Sequence, residues 1–164
     1  MHETRVEGGV NATSSFELFY RNERDHIVRV LAMVLRDREL AAEATDEGMV
    51  RAYQRWRSVE RYDNPTGWVY RVALNWATSR LRRRKRETGA EPPERWTHDA
   101  VVDVDLERAL AALDVEARTM VVLKHLEGMR YDEIGQVLSM PEGTVKSRLH
   151  RVMNGLREVL EVQE

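Results

Sequence analysis

The chain of 164 residues contains no cysteine, which excludes disulfides and thiolate metal sites and fits a cytoplasmic setting. No run approaches the ~20 apolar residues of a membrane span, so no direct membrane insertion is expected. The opening stretch MHETRVEGGVNATSS lacks the basic start and apolar run of a secretory signal, and residues 1–14 read as a flexible N-terminus. No glycine-rich phosphate loop is present and the five histidines are scattered. The carboxylates Glu43, Asp46 and Glu47 lack a His pair or a second acidic cluster at ligand spacing. No catalytic residue, metal or cofactor is therefore expected. β-Branched residues cluster only at Val101, Val102 and Val104, so no strand signal persists, and no internal repeat is visible. A net charge of −2 does not advertise nucleic-acid binding; the distribution matters more, because the charges are segregated along the chain.

What is there is helical periodicity. Phe16 to Arg36 carries Phe16, Phe19, Ile27, Val30, Leu31, Val34 and Leu35 as an apolar stripe, and Asp37-Arg38 marks a break. Leu40 to Trp56 reads as a second helix with Met49, Ala52, Tyr53 and Trp56 inward. A polar loop, 58–64, ends in Asn64-Pro65, a turn and helix-start signal. The next helix runs to about Arg86, with Val69, Val72, Ala73 and Trp76 packed. Glu87 to Asp105 then holds six acids, a Pro-Pro pair and Arg95 as its only fixed positive charge, the composition of an extended tether. Helices follow over Leu106–Leu113 and Glu116–Glu127. The expected fold is all-α: two small helical domains, 15–87 and 106–162, joined by a flexible acidic linker, 88–105. Each domain needs most of its apolar residues for a core.

Two constellations carry function. Tyr131 to Val152, YDEIGQVLSMPEGTVKSRLHRV, has the pattern of a helix-turn-helix whose second helix enters the DNA major groove. Ile134 and Leu138 are four apart, small Gly135 permits close helix approach, and Ser139-Met140-Pro141 breaks the first helix. Pro141 is tolerated at or before a helix start. Val145, Leu149, Val152 and Leu156 recur at helical spacing and face inward, which turns Lys146, Arg148, His150 and Arg151 outward. The second constellation is NPTGWVYRVALNWATSRLRRRKRE, Asn64 to Glu87. Seven Arg or Lys and no acid occupy Arg71 to Arg86, preceded by Trp68, Tyr70, Asn75 and Trp76. Basic groups neutralise phosphates and aromatic faces stack on unpaired bases, a combination suited to single-stranded or melted DNA. On composition alone this stretch reads equally as a solvated basic end, favourable at a helix C-terminus, with Trp68 and Trp76 as core.

Both constellations, in this order and separated by an acidic linker, resemble an extracytoplasmic-function (ECF) sigma factor of bacterial RNA polymerase. The resemblance covers about Phe16 to Leu160. It is most specific in LEGMRYDEIGQVLSMPEGTVKSRLHRVMNGLREVL, which is similar to the family's fourth conserved region; AAEATDEGMVRAYQRW and PTGWVYRVALNWATSRLRRRKR resemble its second. The resemblance implies an alternative sigma factor that binds core polymerase, recognises the −35 and −10 promoter elements and promotes melting. Glu43, Asp46, Glu47 and Arg51 would meet the clamp helices of the largest subunit, and the second domain the flap. Arg61, Tyr62, Trp68, Tyr70, Arg71, Asn75, Ser79, Arg80 and Arg83 would hold the −10 non-template strand, where a flipped base needs stacking and hydrogen-bonding groups. Thr144, Lys146, Ser147, Arg148, His150 and Arg151 would dock in the −35 duplex. The family's linker threads the polymerase cleft, and an anti-sigma factor is a further partner of many members.

The chain departs from the family pattern in places. Glu43 and Asp46 stand where an aspartate and a glutamine are common, Met49 where a bulky aromatic is frequent, and Ser139 where glycine is common; the frequent proline near Asp114-Val115 is missing. Three other functions remain open on the residues alone: a helix-turn-helix regulator that never joins polymerase, a metal enzyme built on Glu43, Asp46 and Glu47, and a sigma-like adaptor that has lost melting. The first would have no use for the aromatic-basic helix.

Overall fold

The computed structural model describes residues 7–90 and 104–162. Among them are eight helices and no strand: α1 (Glu7–Leu35), α2 (Arg38–Gln54), α3 (Trp56–Val59), α4 (Pro65–Thr88), α5 (Val104–Ala111), α6 (Val115–His125), α7 (Tyr131–Leu138) and α8 (Glu142–Glu161). Helix α1 starts inside the segment read as a flexible N-terminus. Of the acidic linker, residues 91–103 lie outside the described residues, Thr88 closes α4 and Val104 opens α5.

The helix boundaries follow from local chemistry. Asp37 caps α2 by accepting from the Leu40 amide at 3.0 Å; the preceding Arg36 has φ 54°. Asn64 Oδ1 accepts from the Gly67 amide at 2.9 Å with Pro65 at the first helical position, where its missing N–H leaves nothing unsatisfied. Gly89, with φ 69°, ends α4 in the left-handed conformation that glycine adopts without strain. Asp114 caps α6 by accepting from the Ala117 amide at 2.8 Å. Such caps satisfy amides that have no partner within the helix, and each is worth about 1 kcal/mol.

In the first domain α1, α2 and α4 enclose Ile27, Leu31, Val34, Ala41, Ala44, Ala52, Val69 and Ala73, all fully buried. Tyr53 departs from expectation: it is 54% exposed. Met49 and Ala52 of α2 and Trp56 at the start of α3 are buried, and Tyr53 lies off that path, leaning its ring on Phe16 at the rim with centroids 5.1 Å apart. In the second domain Met120, Leu123, Ile134, Val137, Val145 and Leu149 form the core. A Cβ on Gly135 would lie 2.5 Å from the Met140 carbonyl, so the turn between α7 and α8 fits only against a bare Cα. Ser139 takes φ 55° there, and the Met140 amide donates to the Gly135 carbonyl at 2.9 Å.

The second domain folds back on the first, with α6 against α1 and α7 against α4. The Arg118 guanidinium, buried, donates to the Val34 carbonyl at 2.7 Å, where the C-terminal end of α1 favours positive charge. Arg36 pairs with Glu107. Nothing in the hydrophobic periodicity of either domain announces this packing.

Candidate nucleic-acid interface

The helix-turn-helix presents its basic face as its spacing requires. Val145 and Leu149 are buried, Lys146, Ser147, His150 and Arg151 are exposed, and Thr144 is half-buried at the start of α8. Arg148 is turned aside to pair with Glu116 of α6. The basic face borders a shallow depression of about 670 Å³ that is also lined by Lys124, His125, Tyr131 and Arg157. Sequence reasoning did not select Lys124, His125 or Arg157. They lie at the end of α6 and two turns down α8, and only the packing of α6 beside α8 joins them to the recognition helix. Lys124 Nζ lies 4.3 Å above the Tyr131 ring, a cation–π contact that fixes its direction.

The aromatic-basic helix α4 divides into several faces. An α-helix turns about 100° per residue, so Tyr70 and Asn75, five apart, point about 140° away from each other and do not share a surface. Asn75 is exposed with Arg71, Ser79, Arg80 and Arg83. Tyr70, expected to face a DNA base, is instead 0% exposed and donates its hydroxyl to Glu127 Oε2 at 3.0 Å. Burial first, and then the neighbouring Glu127 carboxylate, push its pKa well above 10.0. In this conformation Tyr70 offers no stacking surface. Trp68 and Trp76 are each half-buried, between the two readings that the sequence left open.

Arg61 and Tyr62, in the loop after α3, join Trp68 and Arg71 along one wall of a cleft of about 510 Å³. Its other wall comes from α7: Asp132, Glu133, Gln136 and Val137. Asn64 Nδ2 donates across it to Glu133 Oε2 at 2.7 Å. Asp132 is held below the ordinary carboxylate pKa by its hydrogen bond from Arg130. Asn75 faces a second interdomain cleft, about 460 Å³, whose far wall includes Asp114, Glu116 and Val137. Further along, Arg80 stacks on Trp76 at 5.1 Å and bridges to Glu43 of α2 at 3.2 Å, so it ties the basic helix to the acidic one.

On α2 the four residues selected from the sequence are spread over about 140° of the helix, Asp46 and Arg51 marking the two edges. Glu47 accepts from Arg51 at 2.9 Å, and Asp46 accepts from Arg24 of α1 at 3.1 Å, a bond that raises the Arg24 pKa. Val50, 53% exposed, and Tyr53 interrupt these charges. Sequence reasoning passed over Val50 and placed Tyr53 in the core. No group of three or more metal-ligating side chains occurs among the described residues, and none of their helices is long and apolar enough to cross a membrane.

Comparison with known proteins agrees with this division. Residues 19–87 match the family described as Sigma-70 region 2, and residues 103–154 match Sigma-70, region 4. The ECF RNA polymerase sigma factor SigE of Mycolicibacterium smegmatis is 33% identical over 168 residues, covering 93% of this chain; the chain spans 64% of that relative's length. The RNA polymerase sigma-E factor of Streptomyces avermitilis is 33% identical over 158 residues, with 91% of this chain and 87% of the relative covered. The ECF RNA polymerase sigma factor SigM of Mycobacterium tuberculosis is 30% identical, with 89% and 77% covered. In fold, the chain is similar to the sigma factor RpoE from Bartonella quintana, solved in complex with the anti-sigma factor NepR (TM-score 0.79, 23% identity, 92% of this chain and 99% of that one).

Proposed function

Since the chain belongs to the ECF sigma factors of RNA polymerase, we propose that it works as an alternative sigma factor with a division of labour set by its three faces. The observation that carries the reading is the presence of two basic faces of different character on two domains: on α8, with no Phe, Tyr or Trp, and on α4, where Trp68, Tyr70 and Trp76 precede or interleave the basic residues. Thr144, Lys146, Ser147, His150 and Arg151 enter the −35 major groove, with Lys124, His125 and Arg157 on the flanking phosphates. Arg148 joins them once Glu116 releases it. A side chain that reads guanine contributes ~1–3 kcal/mol of discrimination, while a phosphate contact positions without specifying.

The loop residues Arg61 and Tyr62 and the α4 residues Trp68, Arg71, Asn75, Ser79, Arg80 and Arg83 hold the −10 non-template strand, with Tyr70 added only when the C-terminal domain moves off it. Glu43, Asp46, Glu47 and Arg51, interleaved with Val50 and Tyr53, meet the clamp helices of the largest polymerase subunit. The second domain meets the flap. The protein supplies no catalytic group of its own and acts in the cytoplasm, where polymerase and promoter are found. An anti-sigma factor is a fitting partner, since it needs only to cover these polymerase-binding faces. The domain assignment is 15–87 for polymerase and −10 binding and 106–162 for −35 binding, joined by the acidic tether 88–105.

Run-off transcription with core polymerase and a promoter library tests the reading. Addition of the chain yields a product from a subset of templates, and none without it. Absence of product from every template would refute it.

A further inference from the structure

We propose that the melted strand runs on past the loop residues Arg61 and Tyr62 into a hollow beside α3, where Arg55 and Arg57 hold the phosphates of the nucleotides that follow the −10 element. The proposal rests on the assignment of the −10 strand to α4 and the loop before it.

The hollow, of about 420 Å³, is lined by Thr13 of α1 and by Tyr53, Gln54, Arg55, Arg57 and Ser58 around the end of α2 and α3. Arg55 and Arg57 are exposed, and neither has an ion-pair partner among the described residues. Neighbouring arginines are committed: Arg51 to Glu47, Arg24 to Asp46 and Arg80 to Glu43. Glu60, the acid that follows in the chain, accepts from Ser15 of α1 at 3.2 Å. Two unpaired guanidinium groups around one hollow repel each other, and an anion between them relieves that repulsion.

The sign of the charge selects the occupant. The first part of α2 carries Glu39, Glu43, Asp46 and Glu47, whereas Gly48 to Val59 holds Arg51, Arg55 and Arg57 and no acid. A partner complementary to the acidic part is repelled by the basic end, and a phosphate backbone is drawn to it. The hollow also continues the strand path. The Glu60 amide donates to the Trp56 carbonyl at 2.9 Å and the Arg61 amide to the Ser58 carbonyl at 3.2 Å, so a helical turn carries α3 on to Arg61. Arg57 and Arg61, four positions apart, stand on one side of it, about 6 Å apart along the axis. A stacked strand advances about 3.4 Å per nucleotide, so Arg57 lies about two nucleotides beyond Arg61. The other end of the track, along α4, leads through the tether to the −35 domain. The hollow is therefore at the downstream end, where melting leaves the non-template strand single.

Holoenzyme made from core polymerase and the full chain is tested on fork templates of a promoter recovered by run-off transcription. One template ends its single non-template strand at the last −10 base; the other extends it by about six thymidines at the 3′ end. The extension tightens binding of the parent about tenfold, and Arg55→Ala with Arg57→Ala loses most of that gain while staying within about twofold of the parent on the short template. Its salt dependence on the long template flattens by about 0.7 in log–log slope for each phosphate contact removed. Arg55→Lys with Arg57→Lys, which keeps both charges, retains most of the gain and guards against a fold defect in the alanine variant. Equal gains in parent and alanine variant, or no gain in the parent, overturn the proposal. So does an alanine variant that binds core polymerase more weakly without DNA, which makes the hollow a polymerase contact. Failure of the −10 reading is seen separately, as short-template binding by the parent that ignores the −10 sequence.

Discussion

Replacing Gly135 by alanine places a methyl carbon 2.5 Å from the Met140 carbonyl oxygen, where ordinary contact begins near 3.4 Å. The oxygen must retreat by roughly 0.9 Å, and it is backbone, so no rotamer change removes it. It belongs to the turn fixed by Ser139 at φ 55° and by the bond from the Met140 amide to the Gly135 carbonyl at 2.9 Å. Overpacking of this kind costs about 1–3 kcal/mol or more, against a helix-propensity gain of about 1 kcal/mol for Gly to Ala. The steric term wins because the obstructing atom is backbone, with a net loss of up to about 2 kcal/mol, which lowers Tm by up to roughly 8 °C in a chain of this length. Gly155→Ala is the matched control: it lies within α8, a Cβ there meets nothing within 4 Å, and the propensity term alone raises Tm by a few degrees, about 2–4 °C. Thermal denaturation of both variants by circular dichroism decides it. Gly135→Ala also weakens duplex binding, because the turn sets the angle at which α8 meets DNA. A Gly135→Ala chain as stable as the parent would refute the close-approach argument.

Two further perturbations test other parts of the structure. Tyr70 is held protonated in the fold by burial and Glu127. Below pH 10 both folded and unfolded chains carry the proton, and its contribution is complete; as pH rises past 10, the unfolded chain ionises first, and stability is lost progressively up to the raised folded-state value. Urea midpoints between pH 8 and 11 should therefore fall more steeply for the parent than for Tyr70→Phe, and parallel slopes would place Tyr70 in solvent. Lys146→Ala with Arg151→Ala should weaken duplex binding and flatten its salt dependence by about 0.9 in log–log slope for each phosphate contact removed, read by fluorescence anisotropy from 50 to 200 mM salt. An unchanged slope and affinity would remove both residues from the −35 interface.

The helix-turn-helix was legible because every signal for it is local. Small Gly135, the breaker Ser139-Met140-Pro141 and the inward repeat of Val145, Leu149 and Leu156 lie within about 20 residues, and helical geometry alone turns the basic residues outward. Asn64-Pro65 marked the start of α4 for the same reason, whereas the Asp114 cap of α6 was not read from the sequence. The assignment on α4 went further than the pattern supports, since Tyr70 and Asn75 differ by about 140° around the helix axis. Exposed Val50, and Lys124 beside the basic face of α8, were not singled out because a single exposed apolar residue and a lone lysine carry no periodic signal.

The order of local elements, the two domains and the exposed basic face of α8 are written in residues a few positions apart, where backbone geometry fixes who neighbours whom. The sequence by itself determined these. The closure of one domain on the other is not of that kind. Tyr70 meets Glu127 across 57 positions, Asn64 meets Glu133 across 69, and His26 meets Glu127 across 101. No propensity or period spans such separations; only the packing of α6 on α1 and of α7 on α4 brings these side chains within hydrogen-bond reach. The tertiary structure alone decided that Tyr70 is a buried donor here.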